Sequence, residues 1–311
     1  MKISVIIITY NQEKVVRRAI DSVLLQANKN YSLEIIVSDD CSFDSTWSII
    51  KSYSILHPRL FKIKRNSKNL GIYDNYQSTF SLVTGDIIFS LAGDDEFNSN
   101  LFYSTHKYVI RKKLDPHKEK FNIIFDNIIV YPDGKTKIFK NYLINKYPAK
   151  SLKIRNLIKN QPMGESSLNF RCRTYVPGPP KRFLFFQESL VELQPHLYAT
   201  STYYIPRVGL KYFASLGIST KLGDEYYIHS KKEFLKFLIK SHILNTKKDY
   251  YWVKIELARV EHRQYKNIRS LIKYIYSFLT IMGQQYSLLL IKKTISNKVF
   301  ILKHYFEIWT V

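Results

Sequence analysis

Cysteine is nearly absent from this sequence, and so is any segment that would direct the chain out of the cell. The 311 residues include two cysteines, Cys41 and Cys172. Their separation fits neither a metal-binding pair nor a disulfide framework, which favours a reducing compartment. The apolar run at residues 3–8 is too short for a signal peptide, and no small-residue cleavage site follows it. We therefore expect a cytoplasmic protein.

Acidic residues are also scarce. Aspartate and glutamate number 25 against 48 lysines and arginines, which gives a formal net charge of +23. Such an excess favours anionic partners, namely phosphorylated ligands, a membrane surface or nucleic acid, although a solvated basic surface would produce the same total. The carboxylates are concentrated in the first part of the chain, whereas the region from about Lys221 onward is rich in lysine and aromatic side chains.

Segments that read as strands occur four times near the start of the chain, at residues 3–9, 33–38, 60–64 and 86–91, and the first of them is an apolar, β-branched run. Helical patterns separate these segments. Asn11 is expected to cap the first helix, Asp44 or Ser45 to begin the second, and the third to cover residues 72–82. Strands that alternate with helices predict an α/β fold with a mostly parallel sheet and right-handed crossovers.

The alternation ends beyond residue 98. The later predicted elements are a helix at 100–113, a hairpin of residues 121–131 and 135–140 around a Pro-Asp-Gly turn, a helix at 187–198, and basic amphipathic helices from residue 233 onward. The second half of the chain is therefore expected to differ in architecture from the first, and to end in a helical extension.

Three consecutive carboxylates follow the fourth predicted strand. Asp94, Asp95 and Glu96 come directly after an apolar run and Gly93. Like charges repel, and carboxylates are costly to hold near an apolar core, so a metal ion or a basic side chain is needed to neutralise such a cluster. Ligands of α/β proteins bind at the carboxyl ends of the strands. The cluster therefore predicts a metal-dependent site for a charged ligand.

Polar side chains also follow the other three predicted strands. The ordered set consists of Thr9-Tyr10-Asn11, Asp39-Asp40, Asn69-Leu70-Gly71 and Asp94-Asp95. Each piece alone is a weak signal, but the set in this order resembles the family 2 inverting glycosyltransferases, which have the GT-A fold of the nucleotide-diphospho-sugar transferases. The resemblance is specific over about the first hundred residues and extends more loosely to Gly217.

The resemblance implies a nucleotide-sugar site in which the first loop packs against the nucleotide. It assigns the base or ribose to the carboxylate after the second strand, Asp39, with Asp40 in support, because a carboxylate accepts N–H and O–H hydrogen bonds. The Asn-x-Gly turn closes over the nucleotide. The residues assigned to the nucleotide sugar are Thr9, Tyr10, Asn11, Asp39, Asp40, Asn69, Gly71 and Asp94.

The resemblance also implies a divalent metal, Mn²⁺ or Mg²⁺, held chiefly by Asp95. In the family this metal bridges the diphosphate and helps the nucleoside diphosphate to depart. We expect Asp94 to face the ribose and Glu96 to begin the next helix. The family often has a further aspartate two positions before Asp94, and this chain has Ala92 there, which predicts a weaker hold on the ribose or the metal.

Inverting transfer needs a general base, which in the family is a carboxylate, often the aspartate of a Glu-Asp pair. The nearest match is Gln187-Glu188, with Glu188 as the base. An alternative alignment puts Ser189 at the aspartate position and leaves the base elsewhere, and Glu192 is a weaker candidate. Glu188 would equally suit a solvated helix surface.

The resemblance implies transfer of a sugar, with inversion, from a nucleoside-diphosphate sugar, for which UDP is the expected nucleotide. The acceptor is expected to be a glycan, linked to polyprenyl diphosphate, in bacterial surface polysaccharide synthesis such as O-antigen or capsule. We expect a catalytic domain at residues 1–222, with a nucleotide-sugar-binding half at 1–98 and an acceptor-binding half at 99–222. A helical region at 223–311 follows.

Other classes stay open at this point. Ala92 and Gln187 leave room for a donor-binding homologue without activity. The basic, aromatic tail, for example residues 247–254, would suit a nucleic-acid-binding protein, although it lacks a recognisable motif and leaves the acidic strand ends unexplained. A nucleotidyltransferase of related fold is disfavoured because the first loop contains no glycine.

An uncharged stretch at residues 274–291 lies between Lys273 and Lys292. Its polar residues fall on one helical face and its apolar residues on another, so it predicts an amphipathic helix. Flanking lysines and aromatic residues favour peripheral binding at the inner face of an anionic membrane. The alternative is a helix packed on the catalytic domain or on a second subunit.

Overall fold

The computed structural model describes residues 1–141, 150–151, 154, 168–170, 199–214, 224–241, 244 and 246–285. The chain divides into two compact units, Met1–Phe234 and Leu235–Val311.

Four parallel strands form the first part of the sheet. They are β1 (Lys2–Thr9), β2 (Ser32–Asp39), β3 (Phe61–Arg65) and β4 (Ile87–Ala92), in the spatial order β3-β2-β1-β4. The connecting helices are α1 (Val16–Leu24), α2 (Thr46–Leu56) and α3 (Ile72–Gln77), the last followed by a 3₁₀ turn at Phe80–Leu82. The predicted parallel α/β arrangement is confirmed.

The sheet continues beyond β4 with strands of both directions. These elements are β5 (Glu96–Phe97), α4 (Leu101–Lys112), β6 (Phe121–Val130), β7 (Thr136–Phe139), β8 (Leu168–Phe170) and β9 (Ser201–Phe213). Their spatial order from β4 is β8-β6-β9-β5, with β7 paired to β6. The predicted hairpin is confirmed as the antiparallel pair of β6 and β7.

The core lies between the sheet and the helices on one of its faces. The inward side chains of β1, β2 and β4 are almost completely buried, and α1 packs its apolar stripe against them. The central members are Ile3, Val5, Ile7, Ala19, Ile20, Ile35, Val37, Ile87 and Phe89. Parallel strands covered on both faces read as continuous apolar runs, which is why the sequence pattern located them well.

Three predicted details differ from the structure. Asn11 does not cap α1, because it has a left-handed φ of 52° and its side-chain oxygen accepts the N–H of Phe43 instead. The third helix ends at Gln77, where Ser78 and Thr79 donate to the carbonyls of the preceding turn and compete with helical bonds. Glu96 lies in strand β5 and does not begin a helix.

The described residues from Asp224 onward are mostly helical, as predicted. Helix α5 (Asp224–Lys240) leads from the first unit into the second, which also contains α6 (Lys247–Tyr265) and α7 (Ile268–Gln285). Thr246 caps α6 by accepting the N–H of Asp249 at 3.0 Å. Among the helices that the structure describes, none is long and apolar enough to cross a membrane.

Candidate active site

The polar motifs follow four strands that are parallel neighbours, so they converge on one edge of the sheet. The strand register places Thr9 beside Asp39, and Asp39 beside Arg65. On the other side of β1, Ile8 pairs with Ala92, the residue before the acidic loop. The structure therefore brings together the residues that the sequence assigned to the nucleotide sugar and the metal.

The loop after β1 is fastened to the loop after β2. The Thr9 hydroxyl lies 3.4 Å from the carboxylate of Asp39. The N–H of Asn11 donates to the Ser42 hydroxyl at 2.9 Å. The ring of Tyr10 meets that of Phe43 edge to face, with 6.5 Å between centroids. These contacts fix the backbone of the first loop and leave the half-buried Tyr10 ring at the edge of the sheet.

Asp39 is fully buried at the end of β2. Its carboxylate accepts the N–H of Ser42 at 3.0 Å and the Ser42 hydroxyl. The guanidinium of Arg65 lies 3.3 Å away and offsets the cost of burying the charge. Sequence reasoning missed Arg65. The basic residue that ends β3 was a usable signal, because the ends of β2 and β3 lie side by side in a parallel sheet.

Asp40 holds the turn that follows β3. One of its oxygens accepts the N–H of Leu70 at 2.9 Å and the side-chain amide of Asn66 at 2.8 Å, and the other accepts the N–H of Gly71 at 2.8 Å. Gly71 has a φ of 85°, which favours glycine, and α3 starts directly after it. Asp40 thus positions the predicted Asn69-x-Gly71 turn, in which Asn69 also accepts the Gly71 N–H at 3.1 Å.

The acidic loop lies directly against the first loop. Asp94 and Asp95 are 9% and 2% exposed. Asp95 accepts the N–H of Phe213 at 3.0 Å, which joins the loop to the end of β9. A Cβ on Gly93 would overlap the side-chain oxygen of Gln12 and lie 2.7 Å from the Thr9 methyl group. Glycine therefore lets the two loops meet without displacing these side chains.

Basic side chains neutralise the third carboxylate of the cluster. Lys211 donates to Glu96 at 2.8 Å, and the guanidinium of Arg18 lies 3.7 Å from its other oxygen. Arg18 also donates to the backbone carbonyl of Asp94 and stacks 3.5 Å from the ring centroid of Phe213. The sequence predicted that either a metal ion or a basic side chain neutralises the carboxylate cluster. For Glu96 the neutralising groups are basic side chains.

The donor set suits a metal that is shared with substrate. In the described part of the chain, no three His, Cys, Asp or Glu side chains form a group that could enclose a metal ion. Mg²⁺ in phosphate-handling enzymes usually takes one or two carboxylates and completes its shell with phosphate oxygens and water. Adjacent buried carboxylates at Asp94 and Asp95 fit that pattern, so they would hold the metal only together with a diphosphate.

A further buried carboxylate, Asp126, lies on β6, which is joined to β4 through β8. Strand pairing aligns Ile88 of β4 with Asn122 of β6 through β8, and Ala92 and Asp126 each follow four residues later in their own strand. Asp126 accepts the hydroxyl of Tyr204 at 2.8 Å. Burial and this bond raise the pKa of Tyr204 above its ordinary value. The sequence signal that could have identified Asp126 is a single aspartate within the largely apolar segment of β6.

The predicted base, Glu188, lies outside the described residues, as do its neighbour Gln187 and the alternatives Ser189 and Glu192.

A cleft of about 350 Å³ opens between the start of α4 and strand β9. It is lined by Asn98, Ser99, Asn100, Leu101, Ser104, Phe125, Arg207 and Val208. Arg207 is exposed, and no carboxylate in the described ranges pairs with it. The cleft therefore offers a guanidinium, hydroxyls and an amide to a polar or anionic ligand.

Comparisons with known proteins agree with this architecture. Poly(ribitol-phosphate) beta-N-acetylglucosaminyltransferase TarP of Staphylococcus aureus is 32% identical over 166 residues, which are 47% of this chain and 50% of TarP. The uncharacterized glycosyltransferase MG060 of Mycoplasma genitalium is 26% identical over 221 residues, 68% of this chain and 69% of that protein. Rv1520 of Mycobacterium tuberculosis is 33% identical over 131 residues, so the match spans 42% of this chain and about a third (36%) of that relative.

Solved structures share the fold. The crystal structure of S. aureus TarS 1-349 in complex with UDP-GlcNAc superposes with a TM-score of 0.57 at 16% identity, over 89% of this chain and 79% of that one. The same TarS fragment without that ligand gives a TM-score of 0.54 over 87% and 73%. A sequence profile described as "Glycosyl transferase family 2" matches residues 4–176, more than half of the chain. The chain therefore belongs to glycosyl transferase family 2 and has the GT-A fold that the resemblance implied.

Proposed function

We propose that the protein transfers a sugar, with inversion, from a nucleoside-diphosphate sugar to a glycan acceptor. The observation that carries the proposal is the convergence of the four motifs on one sheet edge. Asp39 lies there beside the first loop, and Asp94 and Asp95 lie against the same loop through Gly93. A base, a ribose and a diphosphate need three such neighbouring surfaces.

UDP is the proposed nucleotide, and the transferred sugar is a hexose or its N-acetylated derivative. The relative TarP is a beta-N-acetylglucosaminyltransferase, and TarS was crystallised with UDP-GlcNAc and with UDP. These are properties of those proteins, and they support the proposal through the shared family and fold.

The proposed cofactor is Mn²⁺ or Mg²⁺. Asp95, assisted by Asp94, would hold the ion against the diphosphate, where it would offset the charge of the departing nucleoside diphosphate. Asp95 keeps one oxygen on the backbone N–H of Phe213, so its carboxylate is oriented before any ligand binds. Glu96 contributes no ligand in this proposal, because Arg18 and Lys211 neutralise it.

The acceptor is proposed to bind in the half of the catalytic domain after residue 98. The cleft beside α4 is lined by residues of that half, apart from Asn98 at the boundary, and its Arg207 would suit an acceptor that carries phosphate or carboxylate groups. Glu188 is the proposed base. We propose a role in bacterial surface polysaccharide synthesis, O-antigen or capsule, on a polyprenyl-diphosphate-linked acceptor at the inner face of the cell membrane.

A thermal-shift panel of nucleoside diphosphates and nucleotide sugars, with and without Mn²⁺, tests the donor proposal. The expected result is selective stabilisation by UDP and one UDP-sugar, larger with the metal. Donor binding without hydrolysis or transfer would instead identify a homologue without activity. Salt-sensitive binding of DNA or RNA, with no response to any nucleotide sugar, would reject the proposal.

A further inference from the structure

Helix α7 carries an apolar stripe on its outer face. Ile268, Ile272, Tyr276 and Leu279 recur at intervals of four, four and three residues, and they are 71%, 61%, 71% and 40% exposed. These four residues are called the α7 stripe. Large apolar side chains at this exposure are individually ordinary, but a continuous helical row of them marks an interaction surface.

The stripe is distinct from the face that packs within the second unit. Ser270 on the inner face is buried, and its hydroxyl lies 3.0 Å from Nδ1 of His262 on α6. Ile275 and Phe278, two apolar residues of the predicted amphipathic stretch, are half-buried. Helix α7 therefore has its own packing face, and the exposed side chains of the stripe lie beside it.

Exposed basic side chains occur on α7 and in the segment directly before it. Arg263, Lys266 and Arg269 are exposed, and no carboxylate in the described helices pairs with them. Lys273 pairs with Glu261 at 2.6 Å while remaining 62% exposed. The whole unit from residue 235 onward contains fourteen lysines and arginines against four carboxylates. An occupant of the stripe must therefore accommodate strong positive charge.

We propose that the α7 stripe docks on an anionic lipid surface. Its apolar side chains would enter the boundary between headgroups and acyl chains, and Arg263, Lys266 and Arg269 would contact the lipid phosphates. Charge decides between this occupant and a second copy of the chain, because two copies meeting at the stripe would bring like-charged regions together. The surface does not depend on the proposed sugar transfer, so each can fail without the other.

Vesicle flotation of the full chain tests this surface. Wild-type protein is expected to float with vesicles that contain phosphatidylglycerol, and much less with phosphatidylcholine alone. Ile272→Glu places a charge within the stripe and is expected to weaken binding by about tenfold or more. Ile110→Glu is the matched control, since Ile110 is 63% exposed on α4 in the other unit, and it should bind like wild type.

A variant of a basic residue separates the contribution of the charged side chains from that of the apolar stripe. Arg269→Glu is expected to weaken binding to anionic vesicles by about fivefold or more, and to leave the weak binding to neutral vesicles unchanged. Unaltered melting temperatures and UDP binding would confirm that the variants fold. The proposal is overturned if Ile272→Glu floats as well as wild type. It is also overturned by a different pair of results: wild-type protein does not bind vesicles, and light scattering shows a dimer that Ile272→Glu dissociates.

Discussion

The two ends of strand β2 each hold a buried carboxylate, and their partners differ. Glu34 near the amino end accepts the hydroxyls of Ser4 and Thr84, both at 2.5 Å, and pairs with Lys2 and Lys62 at 2.8 and 3.1 Å. These partners belong to β1, to β3 and to the segment that leads into β4, so Glu34 fastens four strands to one another.

The partners of Asp39 at the carboxyl end belong mainly to the site. Ser42 lies in the loop after β2, Thr9 ends β1, and Arg65 ends β3 with its side chain 41% exposed. One end of the sheet therefore uses a buried charge to join strands, and the other uses it to shape a surface for a ligand. Variants at the two ends should separate stability from activity.

The largest expected effect is on catalysis, from Asp95→Asn. Asparagine can still accept the N–H of Phe213, so the fold should persist, but it removes the negative charge that would hold the metal. Metal-dependent transfer is expected to fall by about 10²–10³-fold. Initial rates at several Mn²⁺ concentrations provide the measurement.

Glu96→Gln is the matched control for that loss. Lys211 and Arg18 already neutralise Glu96, so this variant should keep most of the activity and its metal dependence. Full metal-dependent activity in Asp95→Asn, or an equal loss in both variants, would refute the metal role of Asp95.

At the other end of β2, Glu34→Gln should act on stability alone. It leaves Lys2 and Lys62 without their carboxylate and replaces one acceptor oxygen by an NH₂ group, so the side chain can accept the hydroxyl of Ser4 or that of Thr84 but not both on separate oxygens. The free energy of unfolding is expected to fall by about 3 kcal/mol, measured by urea denaturation, with UDP affinity unchanged. Asp133→Asn in the exposed hairpin turn, which removes a surface ion pair with Lys135, should leave the midpoint unchanged.

The stabilising effect of the ionised Glu34 carboxylate should also appear in the pH dependence of stability. Burial alone would raise the pKa of Glu34, but hydrogen bonds from Lys2, Ser4 and Thr84 outweigh it and hold the pKa far below its ordinary value. A carboxylate with a lowered folded-state pKa stabilises above its unfolded pKa of about 4.3, and that contribution is lost as pH falls further. Wild type should therefore lose stability more steeply than Glu34→Gln below about pH 4. If the stability of wild type and of Glu34→Gln fell equally steeply with decreasing pH, Glu34 would not be ionised in the folded protein.

Asp39→Asn should lower both UDP affinity and stability. The relative size of the two losses shows how far the carboxyl end of β2 differs from its amino end. UDP affinity is expected to fall about tenfold by calorimetry, because asparagine lacks the negative charge and has one acceptor oxygen where the carboxylate has two. The free energy of unfolding should fall by about 1.5 kcal/mol, less than for Glu34→Gln. An unchanged UDP affinity with a stability loss as large as that of Glu34→Gln would make Asp39 a structural residue like Glu34.

The carboxyl-end motifs could be predicted from the sequence because they are local. Each lies within a few residues of a strand whose apolar run is unambiguous, and parallel pairing then guarantees that they share an edge. The contacts that complete the site are not local. Arg65 reaches Asp39 across a strand pair, and Phe213 reaches Asp95 from β9. No short-range pattern contains those pairings.

The second half of the domain was harder to predict for the same reason. Strand β9 has a mixed sequence with Pro206 near its middle, and its register with β6 shifts on both sides of Asp126. Proline and a register shift both weaken the alternating pattern that identifies a strand. Asp126 and Ala92 can be related to each other only through the pairing of β4 and β6 with β8. The sequence alone does not show that pairing.

Arg207→Ala should have the smallest effect, and it tests whether the site extends beyond the edge of β1–β4. Arg207 is exposed at the cleft beside α4, so its loss should not alter stability or UDP affinity. If the cleft receives an anionic acceptor, the KM for that acceptor should rise about threefold with kcat unchanged, because one solvated charge contact is lost. Lys137→Ala on β7 removes an exposed cation away from the cleft and should change neither constant. Identical kinetics for the two variants would confine the functional surface to the carboxyl ends of the parallel strands, where Asp39 and Asp95 lie.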